Sequence, residues 1–453
     1  MRATVPPLRM PLKPGTQEVI DRLSVDRTPQ QDAPRLKIDL PSFSEVVRDR
    51  LAGVLVSNMW WEDRLEPTRV YRPTMDRFGP GGHLTMPLAA SWLSSGPRSG
   101  GNTVAFPTGV DRTFVEAMIR AGILGKHAYM EFRNLPDVAA ALNAKIYSVD
   151  DLPEAWDPHA ANRSELHRLV NTKKYLRPLS AWAADYELVD LDAACAEDFE
   201  RIGGGKRVYV KLNNTENTGD GVRPVDTAEQ YMATVREIKA QADAHGLDRQ
   251  IAVQPQIQGR NHSFQFVMRP GDQRLGLIAL SNQRVADDGV TYAGSENLPL
   301  TPEAVTPELA AVMTDMAARI RAIDPEAFGC VMCDYFTTPD GRILTFDPGL
   351  RPTGNTATAL ARMRAEEELG MKPLVSEFFF VPTTPTERSY DAFSAPLGKR
   401  IQMDNIVQSG WAIQPWGYNQ HMGRGPLIAI GTSQRKLREA IDEATAILQE
   451  SHG

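Results

Sequence analysis

Cysteine is scarce in this chain, with three residues in 453. Cys195, Cys330 and Cys333 cannot build a disulfide framework, so a reducing compartment, the cytoplasm, is expected. Cys330 and Cys333 have no second pair to complete a metal site. Their spacing puts them on opposite faces of a strand, where they read as small buried side chains. An excess of positive charge is also missing. The net charge of -7 argues against non-specific binding to nucleic acid. No apolar run approaches the ~20 residues that cross a bilayer, and Met1–Met10 lacks the apolar core of a signal peptide. There is no internal repeat. The glycines Gly96, Gly100 and Gly101 lack the Lys-Ser/Thr that completes a phosphate loop. The remainder is 42% hydrophobic and 24% charged, as in globular proteins that bury real cores. At about 150 residues per domain, the length suggests three lobes.

The most informative stretch runs from Gly329 to Arg351. Two apolar, β-prone runs flank Asp340-Gly341, the strongest short signal for a tight hairpin. Folded about that dipeptide, position 339 faces 342 and 338 faces 343, and the count brings Asp334 opposite Asp347. Like charges across a strand pair destabilise a sheet. A cation between the two carboxylates gives such a pair a reason to persist. Mg2+ suits the place, because it is usually held by one or two carboxylates plus phosphate oxygens. Arg351, just beyond, adds a fixed cation matched to a phosphate. The bland alternative is two solvated acids on an edge hairpin.

Residues 1–40, rich in Pro, Arg, Asp and Gln, read as an arm or a partly disordered lead-in. Residues 41–165 read as a small α/β domain. Its strands fall near Val54, Asn102–Pro107, Ala128–Phe132 and Lys145–Val149, with helices over Phe114–Leu124 and Pro136–Asn143. Residues 166–268 carry an alternating strand, Lys206–Leu212, with Tyr209 and Lys211 on the face opposite Val208, Val210 and Leu212. A polar loop, Asn213–Val222, follows it. Thr227 is placed to cap a helix to Ala244, and strands Ile251–Gln254 and Ser263–Met268 come next. Residues 269–380 hold a strand at Leu275–Leu280, a helix over Pro307–Ile323, the aspartate hairpin, and a helix over Thr356–Glu368 stopped by Gly370. Residues 381–453 form an extension that ends in a helix, Ser433–Gln449. Trp60-Trp61 reads as packing or a partner surface. His262 and His421 read as structural histidines or substrate contacts.

A strand lysine, a glycine-containing loop, a helix, two apolar strands, a long helix, a two-acid hairpin and an arginine occur in that order. Over roughly residues 165–360 this order resembles the ATP-grasp superfamily of nucleotide-dependent ligases. The resemblance implies an α+β ATP-grasp fold, two subdomains gripping a nucleotide, preceded by a pre-ATP-grasp α/β domain. Asn171-Thr-Lys173 looks like the family's N-x-K start. Lys211 looks like its phosphate-contacting strand lysine, and the loop with Gly219 and Gly221 like the cover over the phosphates. Gln254, Ile257 and Asn261 fall on the adenine and ribose side. Asp334 and Asp347 match the metal carboxylates and Arg351 the arginine of E-x-N-x-R. The sequence departs in having Asp347 for Glu, Gly349 for Asn and Gln254 for the hinge acid; Asn355 is the candidate to replace the lost ligand. The ending Pro415-Trp-Gly-Tyr-Asn-Gln420 is similar to a peptide-ligase branch of natural-product pathways.

The resemblance implies ATP and Mg2+ as cofactors and small, amino-acid-like carboxylate and amine substrates, with no nucleic-acid or membrane partner. Dimers are common among members. The implied reaction is acyl-phosphate formation, ADP release and attack by an amine, with Lys173 and Lys211 on the phosphates and Arg351 and Lys211 as the catalytic cations. Two other readings stay open. One changes the acceptor, to a carrier-protein thiol or to phosphotransfer without ligation. The other is a nucleotide-binding module without turnover. Taken singly, Lys211 reads more readily as a solvated strand residue.

Overall fold

The computed structural model describes residues 12–30, 33–46, 54–56, 103–107, 116, 129–132, 145–148, 154, 157–213, 221–245, 248–286, 292–382, 390–415 and 424–452. Gly219, Trp60-Trp61, His421, the glycines at 96–101, most of both helices expected over 114–143, and Trp416–Gln420 lie outside these residues.

The chain opens with helix α1, Pro14–Val25, whose Ile20 and Leu23 are buried. A short strand β1, Lys37–Asp39, follows and pairs in parallel with a strand near residue 275. Residues 14–25 and 37–39 of the expected lead-in are thus helix and strand. Composition misses this because two apolar residues three apart suffice to dock a helix when a buried partner fixes it. That partner is Arg319. Fully buried, it donates to the carbonyls of Leu23 (3.1 Å), Asp26 (3.0 Å) and Thr28 (2.7 Å), and it pairs with Asp315 at 2.8 Å.

A parallel four-stranded sheet comes next: β2 (Val54–Val56), β3 (Thr103–Pro107), β4 (Tyr129–Phe132) and β5 (Ile146–Ser148), in the order β4-β3-β2-β5. All three pairings are parallel, as an α/β unit requires. Helix α2, Ser164–Val170, leads out of it.

The second sheet is antiparallel and wraps two helices. It contains β6 (Glu187–Asp190), helix α3 (Ala196–Gly203), β7 (Val208–Leu212), β8 (Val222–Val225), helix α4 (Ala228–His245) and β9 (Gln250–Pro255), with strand order β6-β9-β7-β8. Val208, Val210, Val235 and Val253 share its core with Tyr231. The α4 cap is as expected: Gln230 N donates to Thr227 Oγ1 at 3.2 Å.

The third sheet is the largest, with nine strands counting β1. It collects β10 (Arg260–Met268), β11 (Arg274–Val285) and β12 (Tyr292–Asn297). Helix α5 (Pro307–Ile323) separates these from β13 (Gly329–Thr337) and β14 (Ile343–Gly349). Helix α6 (Gly354–Leu369), β15 (Val375–Pro382), β16 (Trp411–Pro415), β17 (Arg424–Gly431) and helix α7 (Gln434–His452) complete it. The order is β14-β13-β10-β11-β12-β15-β17-β16. Both faces are covered, so alternate residues of one strand feed different cores. Phe264 and Phe266 pack with Val312, Met316 and Ile320 of α5. Val267 lies in the other core, with Leu360 of α6 and Leu437 of α7. Each buried phenylalanine contributes roughly 1.5–3 kcal/mol relative to exposure. Cys330 and Cys333 are buried, free and in different cores, as their spacing requires.

Two boundaries differ from expectation. Strand β10 belongs to the large sheet, so the central unit ends before Arg260 rather than at 268. The segment after 381 does not merely pack on the preceding lobe; β16 and β17 extend its sheet. Local sequence breaks do not coincide with the unit boundaries here, because strand pairing is non-local. Among the described residues, no helix is long and apolar enough to cross a membrane.

Candidate active site

The β13–β14 hairpin carries the first two groups of the site. Its turn is wider than Asp340-Gly341 alone. Thr338 N donates to Arg342 O (2.9 Å), Gly341 N donates to Thr338 O (2.9 Å), and Thr337 pairs with Ile343. Gly341 has φ +87°, the left-handed geometry that favours glycine there. The register near the turn is thus displaced by one from the expected count. A bulge between Asp334 and Tyr335 restores it, because Phe346 is left without a cross-strand partner, and Asp334 stands opposite Asp347. The extruded Phe346 ring stacks on Phe336, with centroids 4.6 Å apart.

Asp334 is half-buried. Burial, and then the facing Asp347 carboxylate, push it well above the usual carboxylate range; Ser263, Gln283 and Arg351 oppose the shift. Gln283 Nε2 donates to Asp334 Oδ1 at 2.6 Å. Asp334 pairs with Ser263 across to β10.

Lysines reach this pair from two other elements. Lys173 follows α2 in a single 3-10 turn, Lys173–Tyr175, and its Nζ lies 3.7 Å from Asp347 Oδ2. Lys211 comes from β7 of the second sheet and is buried, so the reading of a solvated strand residue is corrected. Its ammonium hydrogen-bonds Gln254 Oε1 on β9 and sits 5.0 Å over the centre of the Phe346 ring. Burial lowers the Lys211 pKa to about 8, with Asp347 raising it and Lys173 lowering it further. The adjacent strand supplies Gln254 because Tyr209 is its direct partner and Lys211 pairs with Ala252.

Arg351 lies just past β14, and its Nη1 donates to Asn171 Oδ1 at 3.2 Å. The structure therefore brings Asn171, Lys173, Lys211, Gln254, Asp334, Asp347 and Arg351 into one connected group at the junction of two sheets. Gly221 is buried beside this group, its carbonyl accepting from Leu212 N at 2.8 Å. Ile257 and Asn261 are half-buried on the β9–β10 connection and the start of β10. Asn261 Oδ1 and Gln254 Nε2 are buried without hydrogen-bond partners.

Asn355 is placed differently. Its Nδ2 donates to Ser281 Oγ at 3.0 Å, and its Oδ1 accepts from the Tyr292 hydroxyl at 3.5 Å. Both ends of the carboxamide are thus engaged with β11 and β12, which speaks against its part as a replacement metal ligand. Sequence reasoning missed Gln283, Ser263, Phe346 and His167. The first two reach the site only through the β10–β11–β13 register, and Phe346 through a bulge, none of which has a local signal.

The described residues contain no cluster of three or more His, Cys, Asp or Glu side chains suited to a metal. Two carboxylates alone fit the sparse protein contribution to a Mg2+ that takes its other oxygens from phosphate and water.

No protein-family model matches the sequence, and no curated protein is similar to it in sequence. Solved structures are similar in fold. N5-carboxyaminoimidazole synthetase from Staphylococcus aureus, complexed with ADP, superposes with a TM-score of 0.52 at 9% identity, covering 81% of this chain and 95% of that one. Phosphoribosylamine–glycine ligase from Thermotoga maritima gives 0.53 at 11% identity, covering 81% and 94%. The biotin carboxylase domain of the Hydrogenobacter thermophilus 2-oxoglutarate carboxylase, in complex with MgADP, ADP and bicarbonate, gives 0.52 at 10% identity, covering 88% and 93%. The chain has the ATP-grasp fold, an α+β architecture.

Proposed function

We propose that this protein is an ATP-dependent carboxylate–amine ligase working through an acyl phosphate. The observation that supports it most is the Asp334–Asp347 pair beneath Lys173 and Lys211, with Arg351 at its side. Two facing acids, one of them pushed toward its neutral form, suit a cation, and the three basic side chains beside them suit an anion. A metal-bound nucleoside triphosphate satisfies both demands. The ADP and MgADP held by the solved structures of like fold agree with that reading.

Asp334 and Asp347 would hold Mg2+, which neutralises phosphate charge when bound. Lys173 and Lys211 would hold the phosphates, and Arg351 would steady the group being transferred. The segment with Gly219 and Gly221, expected from the sequence to cover the phosphates, would exclude water from it. The buried, partnerless Gln254 Nε2 and Asn261 Oδ1, with Ile257, would serve the base and ribose. In the reaction, a substrate carboxylate oxygen attacks the γ-phosphorus, the bond to the β–γ bridging oxygen breaks, and ADP leaves. An amine nitrogen then attacks the acyl carbon, inorganic phosphate leaves, and the nitrogen loses a proton. Amino-acid-like acids and amines are the proposed substrates, in a cytoplasmic natural-product setting; the N-terminal parallel-sheet unit is the proposed contributor to their pocket.

The test is incubation with ATP, Mg2+ and pools of carboxylates and amines, reading the nucleotide formed. ADP that appears only when an acid and an amine are both present supports the ligase. AMP contradicts the acyl-phosphate route. The observation favouring a module without turnover is Gly349, and tight ATP binding with no ADP from any pool is its outcome.

A further inference from the structure

We infer that Asn171 is the positioning residue for Arg351 and that its carboxamide occupies the space left by the missing side chain at Gly349. The inference rests on the reading that Arg351 serves the transferred phosphoryl group.

Gly349 ends β14 and is not among the glycines with positive φ, so its backbone does not demand glycine. Its surroundings are tight. A Cβ at 349 would lie 3.0 Å from Met332 Sδ, 3.1 Å from Met332 Cγ and 3.2 Å from Asn171 Oδ1. The methionine thioether can swing away, whereas Asn171 is buried and held at both ends. Its Oδ1 accepts from Leu350 N at 2.8 Å and from Arg351 Nη1 at 3.2 Å. Its Nδ2 lies 2.8 Å from His167 Nδ1, one helical turn back on α2. The Leu350 N–H can be satisfied only by an acceptor, which settles the amide orientation: oxygen toward Leu350 and Arg351, nitrogen toward His167. His167 Nδ1 then accepts, as a neutral ring does; burial, and then Arg351 and Arg168, hold it neutral by lowering its pKa to about 3. The relay His167–Asn171–Arg351 ties the end of α2 to the end of β14. Two residues on, Lys173 pairs with Asp347, so one short segment sets two cations of the site.

Packing and hydrogen bonding are separated by two substitutions of similar volume. Asn171→Leu fills the space without an acceptor, and Asn171→Asp keeps the acceptor. The expected result is a fall in kcat of about tenfold or more for Asn171→Leu, with nucleotide KM changed less than about threefold, the cost of one charge-assisted hydrogen bond. Asn171→Asp is expected to keep kcat within about threefold of wild type. Gly349→Ala lowers kcat in the wild-type background and has a smaller effect beside Asn171→Ala, since the two share one contact. Wild-type kcat in Asn171→Leu, or fully multiplicative effects of Gly349→Ala and Asn171→Ala, would overturn the inference. A protein that turns over no substrate pair defeats the ligase reading alone. The positioning contact then shows in melting temperature: the Asn171→Leu/Arg351→Lys double variant melts no lower than the worse single variant, and additive losses overturn it.

Discussion

Lys173 Nζ lies 3.7 Å from Asp347 Oδ2 while Asp334, across the ladder, is left to Gln283 and Ser263. The two acids are therefore not equivalent. Asp347 has an ammonium at ion-pair distance, whereas burial and the facing carboxylate push Asp334 toward its neutral form.

From this asymmetry, Asp334→Asn is expected to remove turnover by at least about a hundredfold, because the metal loses its less shielded ligand. The same substitution relieves like-charge repulsion in a partly buried setting, so the metal-free protein should be no less stable, and more stable by up to roughly 1 kcal/mol. ADP release and urea unfolding, measured side by side, check both halves. Near-normal turnover removes the metal role.

Lys211→Met keeps most of the buried volume and takes away a charge that burial disfavours. Stability should stay within about 1 kcal/mol of wild type, since replacing a buried charge by an apolar group is often neutral or better. Affinity for MgADP should fall by roughly tenfold or more, as one charge-assisted phosphate contact is lost. Calorimetric titration of both proteins gives the comparison.

Acid lability has a specific source in His167. Its folded pKa, about 3, lies below its ordinary 6.5, so the unfolded chain takes up protons that the folded one refuses. The contribution to stability is complete above about pH 6.5 and is lost as pH falls toward 3. At pH 5 the loss is about 2 kcal/mol. His167→Gln should abolish that part of the pH dependence, read as the difference between wild-type and variant unfolding free energies at pH 7 and pH 5.

The Asp315–Arg319 pair is fully buried. Asp315 also accepts from Gln30 N (2.8 Å) and Ala181 N (3.0 Å). Asp315→Ala strands a buried guanidinium and should cost about 3–5 kcal/mol. Limited proteolysis should then cut within residues 12–30 faster than in the wild type, because Asp315 orients the guanidinium that donates to the carbonyls of Leu23, Asp26 and Thr28.

The elements were largely legible in the sequence because their signals are local. Pro307 and the periodic run behind it mark α5 to the residue. Thr227 marks the start of α4, and Gly370, with φ +65°, marks the end of α6. The hairpin shows where local reading stops. Asp340-Gly341 announces a turn but not its length, and a wider loop and the bulge at Phe346 offset each other to bring Asp334 opposite Asp347. The expected pairing is present, by a route that differs from the counted one. Lys211 gave no sign of burial, since its strand alternates and the covering comes from another sheet and the Phe346 ring. Gly349 reads in sequence as a loss, and only the structure shows Asn171 beside it.

Binding of a non-hydrolysable ATP analogue, titrated across Mg2+ concentrations in the wild type and in an Asp334→Asn/Asp347→Asn double variant, bears on the site most directly. Wild-type affinity should rise at least about tenfold with Mg2+, and the double variant should show no such rise. Nucleotide affinity indifferent to Mg2+ in the wild type, or a Mg2+ response that survives loss of both carboxylates, would contradict the assignment of the facing acids as the cation grip.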